Sequence, residues 1–266
     1  MRSEEFFERH PVFTFDEYRS ARAGTKAPTS TVKNLLASHV VSGRVLRVRQ
    51  GLYAVVPRGV GAAEFTPDPY LLATYMAEDA VVCGHAALQF FGKTYSLWNR
   101  YHYFSAGRRR PFTFHDAEFF PVQDPAPVRG RKDRGGGIVQ RAHAGGRVRV
   151  TSLERTLVDV LHSPERAGGW EETWRSLEMV EYFDTEGVLA YVRALGTALT
   201  AARVGLFLDQ HAARLMVEAD HLQALKRLVP RQPRYLDTSR TKGRLVAEWN
   251  LIVPEYVAEQ RWEEQG

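Results

Sequence analysis

Hydrophobic and polar positions near the start of the chain follow first a helical and then a strand period. SEEFFER, residues 3–9, predicts a short helix that ends before Pro11. Thr14 with Glu17 three residues on has the spacing of a capping box, and Phe13 and Tyr18 flank it as a hydrophobic staple. The helix they open is predicted to stop at Gly24. A third helix should run from Pro28, Thr29 and Ser30 to Gly43. At about 100° per residue, Val32, Leu35, Leu36, His39 and Val40 share its apolar face, where His39 reads as packing. Ser30, Lys33, Asn34, Ala37 and Val41 share the other face. SGRVLRVRQGLYAVVP, residues 42–57, then predicts a two-stranded hairpin turning at Gln50-Gly51. Alternation places Leu46 and Val48 on one face, and Val45, Arg47 and Arg49 on the other, pointing away from the core.

The pattern breaks at residues 57–69, a Gly- and Pro-rich stretch read as a linker. YLLATYMAEDAVVCGHAALQFFG predicts two short helices, whereas YHYFSAG and PFTFHDAEFFPV have strand composition. IVQRAHAGGRVRVTS continues in strands with a Gly-Gly turn. Thr151 and Glu154 form a second capping-box pattern, before a helix with Leu153, Leu157, Val160 and Leu161 as its buried stripe. On that helix Arg155 and Asp159, four apart, read as an ion pair anchoring it to the sheet. WEETWRSLEMV, EGVLAYVRAL, ARVGLFLDQHAARLM and HLQALKRLV have helical spacing, and RLVAEWNLIVP closes as a strand. Trp170, Trp174 and Trp249 read as core.

Charge sharpens the picture of the N-terminal part. The 266 residues are 44% hydrophobic and 25% charged, as in a soluble globular protein, with net charge +5. Between Tyr18 and Ala63 lie eight basic residues (Arg19, Arg22, Lys26, Lys33, Arg44, Arg47, Arg49, Arg58) and no acid, leaving the remainder at −3. A basic segment on a mildly acidic body suits a polyanion. Three helices followed by a hairpin is the element order of a winged helix-turn-helix, whose last helix enters the major groove while the hairpin meets the phosphate backbone. The expected contacts are Ser30, Lys33 and Asn34 in the groove, Ala37 permitting close approach, and Lys26, Arg44, Arg47 and Arg49 on the backbone. The fold expected is α+β: a winged helix-turn-helix over residues 1–60, then a larger mixed α/β domain over 61–266, helical in its second half.

Other chemistry is not signalled. FGKT at 91–94 lacks the first glycine of a phosphate loop, which is Ala87 here, and follows a helical stretch. Cys83 and His85 have no further ligands at metal-site spacing, so Cys83 reads as a small buried residue. RGRKDRGGG, from Arg129 to Gly137, reads as a solvated loop. No catalytic residue, metal site or cofactor is expected, and the chain is not expected to be an enzyme. A lone cysteine excludes an internal disulfide. The N-terminus is acidic and lacks a signal-peptide pattern, and no apolar run is long enough to span a bilayer as a helix. Both features point to the cytoplasm rather than a membrane.

The run FTFDEYRSA…STVKNLLASHVVSGRVLRVRQGLYAVVP resembles the N-terminal domain of AbiEi-type antitoxins, regulators of type IV toxin–antitoxin systems. VVCGHAALQFFG, VTSLERTLVDVL and KGRLVAEWNLIVPEYV resemble later segments of that family in the same order; residues 105–137 have no close counterpart. The resemblance implies a repressor that binds double-stranded DNA upstream of its own operon. It also implies a C-terminal domain that counteracts a nucleotidyltransferase-like toxin without a stable complex. A stand-alone winged-helix regulator or a protein-interaction module are the alternatives.

Overall fold

The computed structural model describes residues 2–22, 28–238, 240 and 242–262. Among them, 12 α-helices and 12 strands in three sheets make a mixed α+β architecture. The chain opens with α1 (Ser3–Arg9), β1 (Val12–Thr14), α2 (Phe15–Ala21), α3 (Thr29–Val41) and the hairpin of β2 (Val45–Arg49) and β3 (Leu52–Val55). Then come α4 (Pro69–Thr74), β4 (Val81–Val82), α5 (His85–Phe90), β5 (Arg100–Phe104), β6 (Phe112–Phe114), β7 (Ala117–Val122), β8 (Ile138–His143) and β9 (Gly146–Thr151). The helices α6 (Leu153–His162), α7 (Gly169–Glu178), α8 (Thr185–Leu195), α9 (Ala198–Gln210), α10 (Ala212–Leu215) and α11 (Ala219–Lys226) follow. The chain closes on β10 (Arg234–Tyr235), β11 (Arg244–Val246), β12 (Leu251–Val253) and α12 (Glu255–Ala258). Two units result, and the chain passes between them repeatedly.

The first unit comprises residues 1–82, 99–122 and 140–150. Its N-terminal part is built on an aromatic cluster of Phe6, Phe7, Phe13 and Tyr18, closed by Val32 and Leu36 of α3 and Val45 of β2. Phe6 meets Phe13 edge-on at 5.1 Å, and the His39 ring packs edge-on to Phe7 at 5.0 Å. The α2 capping box forms as the spacing predicts: Glu17 N donates to Thr14 Oγ1 at 3.2 Å, and Thr14 N donates to Glu17 Oε2 at 2.6 Å. Phe13 and Tyr18 close the staple with ring centroids 5.8 Å apart. The predicted stop at Gly24 lies outside the described residues. β1 was not anticipated; three residues carry no periodicity, and only pairing with β3 makes them a strand.

The six-stranded sheet has the order β6-β7-β5-β4-β9-β8. β4 lies inside it, antiparallel to β5 and parallel to β9, within the run expected to be two helices and a connection. Ala80 to Cys83 are all buried, so no polar alternation marks this strand in the sequence. The β8–β9 turn falls on Ala144 and Gly145, with φ of 45° and 76°, one residue before the expected Gly-Gly pair. Gly146 is already in the strand, where a Cβ would lie 2.8 Å from Leu71 Cδ2 of α4.

The second unit comprises residues 83–98, 123–139 and 151–266. Its core includes Trp170, Trp174, Phe207 and Trp249, the three tryptophans being buried as expected. The third sheet has the order β10-β12-β11, so the closing segment is two strands separated by a 3-10 turn at Ala247–Trp249 rather than one. Capping of α6 is a correction: Ser152, not Thr151, is the N-cap and accepts from Arg155 N at 3.3 Å. Thr151 ends β9, and its buried hydroxyl meets that of Thr156 at 2.7 Å.

Arg155 and Asp159 do pair, at 3.2 Å, but fully inside the protein. Arg155 also donates to Asp124 Oδ1 at 3.0 Å and to the carbonyls of Arg134 and Gly136 at 2.9 and 2.7 Å. Of the stretch Arg129 to Gly137, expected to be a solvated loop, residues 129–133 are exposed, while the carbonyls of Arg134 and Gly136 are held against α6. Gly137, at φ 65°, has no room for a Cβ, which would sit 2.7 Å from that of Arg155.

Candidate nucleic-acid interface

α3 is thirteen residues long, about 20 Å at 1.5 Å per residue. Val32 and Leu36 bury its inner face, while Ser30, Lys33, Asn34 and Ala37 lie on the outer one, the division that helical spacing predicts. Lys33, Ala37 and Arg47 line a groove of about 610 Å³ together with Phe15, Arg19 and Tyr53. The Lys33 ammonium lies 5.9 Å from the centre of the Phe15 ring, and the Arg19 guanidinium lies at the same distance. Arg19 also pairs with Asp16 at 2.9 Å. Lys26 lies outside the described residues.

The three hairpin arginines do not share one exposed edge, a correction to the strand-face reading. Arg44 is only 20% exposed and pairs with Glu4 of α1 at 3.0 Å. It also donates to the Val56 carbonyl and lies over the Phe7 ring. Arg58 meets the same Glu4 at 3.2 Å, and the two guanidiniums hold its carboxyl below the usual range. Arg49 donates to the carbonyls of Tyr75 and Met76 at 3.1 and 3.0 Å, with its guanidinium over Phe112 at 5.5 Å. Burial, and to a lesser degree the charge of Arg109, pushes the Arg49 pKa down. Only Arg47 of the three points outward.

The physical reason is a β-bulge. The β2–β3 register slips between Arg47 and Arg49 with Val48 as the extra residue, so simple alternation fails: Val45, expected on the outer face, is buried at 1% exposed, and Val48 at 6%. The second reason is tertiary. The basic window is free of acid along the sequence, but α1 brings Glu4 against it, and Ser3 accepts from Arg22 at 2.8 Å. Among the described basic residues of that window, Lys33 and Arg47 have neither an acidic nor a carbonyl partner, and both face the groove.

A second polar cluster, in the other unit, was not anticipated. His85 is fully buried, stacks on Trp98 at 3.8 Å and places Nε2 3.0 Å from Glu172 Oε1. Ser96 N and Oγ donate to Glu172 at 3.0 and 2.7 Å, and Ser176 Oγ at 3.0 Å. Burial pushes this carboxyl up, but the bonds from His85, Ser96 and Ser176 prevail and hold its pKa at about 2. This is a tie between α5, the following loop and α7. Cys83, two residues before His85, is buried, which pushes its thiol up. Among the described residues no three His, Cys, Asp or Glu side chains are placed to hold a metal ion, and no helix is long and apolar enough to cross a membrane.

No family model matches the chain, and no curated protein matches it. The fold is similar to the crystal structure of RV2827C protein from Mycobacterium tuberculosis, at TM-score 0.58 and 18% identity over 95% of this chain and 90% of that one. At that identity the likeness concerns the fold alone.

Proposed function

We propose that this chain is a DNA-binding transcriptional regulator in which residues 1–60 act as a winged helix-turn-helix. α3 enters the major groove, and the β2–β3 hairpin is the wing. The observation that carries this reading is the groove shared by Lys33 and Arg47, two basic residues of the N-terminal window with no acidic or carbonyl partner among the described residues, beside a helix face of small and polar residues. Asn34 has the amide that reads adenine, Ser30 and Ala37 let the helix lie close, and Lys33 and Arg47 meet phosphates. Arg44 and Arg49 serve in this reading as struts that fix the wing.

The resemblance to AbiEi-type antitoxins extends the proposal. The target is the DNA upstream of the protein's own gene, and residues 61–266 form a regulatory domain that opposes a nucleotidyltransferase-like toxin without binding it stably. The test is a salt titration of binding to that upstream duplex and to a shuffled duplex of equal length. Specific recognition predicts a preference of roughly a thousandfold at physiological salt. Each phosphate that a side chain no longer neutralises lowers the slope of log K against log salt by about 0.9, so replacing both Lys33 and Arg47 by Ala should lower it by about 1.8. Equal binding to both duplexes would exclude a specific repressor, and an unchanged slope would remove the two residues from the interface. Growth rescue on co-expression with an adjacent nucleotidyltransferase-like gene tests the antitoxin role.

A further inference from the structure

Arg108, Arg109 and Arg110 form a run in the loop between β5 and β6, far in sequence from the N-terminal basic window. All three are exposed, and among the described residues none has an ion pair or hydrogen bond. The loop is anchored at its base. Asp79 accepts from Ser105 Oγ at 2.9 Å and from Ala106 N at 2.6 Å, and Ser105 N donates to the Val122 carbonyl at 2.9 Å. At its exit Pro111 leads into β6, whose first residue, Phe112, lies under the Arg49 guanidinium at 5.5 Å. Arg49 ends β2, the strand that carries Arg47.

Within this unit one side chain therefore joins the hairpin to the root of the arginine loop. Arg49 is occupied by two carbonyls and a ring, so it works as a strut rather than a ligand. Three adjacent guanidiniums without an ion-pair partner among the described residues repel one another, and a polyanion relieves that repulsion. Guanidinium is also the group best shaped for phosphate oxygens. The tip, Gly107 to Arg110, carries no apolar side chain that would enter a lipid surface.

We propose that the loop 106–111 is a second phosphate-binding element, by which Arg108, Arg109 and Arg110 hold the backbone of the duplex DNA engaged by α3 and the hairpin. The inference rests on the nucleic-acid reading above. It assigns a part of the larger sheet to DNA binding and makes Arg49 a positioning residue between the two contacts.

The experiment compares full-length wild type, the triple variant Arg108→Ala/Arg109→Ala/Arg110→Ala, the triple Lys variant at the same positions, and Lys33→Ala/Arg47→Ala. Each is titrated with salt on the upstream duplex, and its thermal midpoint is recorded. The Ala triple should lower the slope of log K against log salt by up to about 2.7 with an unchanged midpoint, and the Lys triple should keep most of the slope. A wild-type slope in the Ala triple, with a reduced slope in Lys33→Ala/Arg47→Ala, would overturn the loop's role and leave the nucleic-acid reading standing. Absence of duplex binding by wild type would instead remove that reading, and this inference with it. An unchanged slope on duplex in the Ala triple, alongside abolished binding to phosphatidylserine vesicles, would assign the loop to a membrane surface and overturn the proposal.

Discussion

Single residues in the second unit carry the clearest energetic consequences. Arg155 is wholly buried and makes four polar contacts with Asp159, Asp124 and two carbonyls of the 123–137 segment. Arg155→Met keeps the bulk but takes the donor from two carbonyls and from one oxygen of each carboxylate in a dry site, Asp124 keeping Arg134 at 2.7 Å and Asp159 keeping the Tyr191 hydroxyl at 2.7 Å, so the expected cost is about 3–5 kcal/mol, read from the urea midpoint. A cost well below about 1 kcal/mol would mean that Asp124–Arg134 and Asp159–Tyr191 suffice. Glu172 makes a prediction in acid. Its pKa of about 2 lies below the ordinary 4.5, so as pH falls the unfolded chain takes up this proton first. The stabilisation is whole above about pH 4.5 and is lost as pH drops from there towards about 2. Glu172→Gln should be less stable at neutral pH and should lose less stability across that acid range; parallel wild-type and variant curves would dismiss the linkage. The Arg155–Asp159 pair was legible from its spacing, but its depth was not, because Asp124 and the carbonyls of Arg134 and Gly136 arrive from a segment without periodicity. The Glu172 site was invisible for a related reason: His85 and Ser96 belong to a distant stretch of the sequence, and only folding brings them to α7.

At the scale of elements, helices announced themselves and strand faces did not. α2 and α3 were legible because capping chemistry and a 3.6-residue stripe are local signals. The α6 start was displaced by one residue, since Thr151 and Ser152 are both capable caps and only the end of β9 decides between them. In β2 the bulge cannot be read from composition, and it separates Arg49 from Arg47 in their surroundings, whereas Arg44, just ahead of the strand, is drawn aside by Glu4. Two single variants expose that division. Arg44→Ala removes the bonds to Glu4 and the Val56 carbonyl, so it should lower stability by about 1 kcal/mol while leaving the salt slope of DNA binding unchanged. Arg47→Ala should do the reverse, with an unchanged thermal midpoint and a slope reduced by about 0.9. Thermal melts and salt titrations on the same two proteins decide it, and a reduced slope in Arg44→Ala would return that residue to the interface.

For the whole molecule, the α+β class and the helical second half followed from pattern alone, whereas the strand order did not. β4 sits between β5 and β9 because Val82 pairs with Tyr103 on one side and Val150 on the other, matches that no local signal encodes. Long-range contacts of the same kind tie the N-terminal helices and hairpin to the rest of their unit. A fragment of residues 1–60 keeps the Phe6, Phe7, Phe13 and Tyr18 cluster, but it lacks the Tyr75 and Met76 carbonyls and the Phe112 ring that hold Arg49. It also lacks the Tyr75 hydroxyl that meets Glu17 at 3.4 Å. It should therefore melt cooperatively but at a lower midpoint than the full chain. Because the fragment is also without Arg108 to Arg110, its salt slope on the upstream duplex should fall short of the full chain's by the same amount as the Ala triple's. Equal slopes in fragment and full chain would confine the DNA contact to residues 1–60. A still larger deficit in the fragment would mean that the Arg49 strut positions Arg47 as well as the loop, so that severing it weakens DNA binding on both sides.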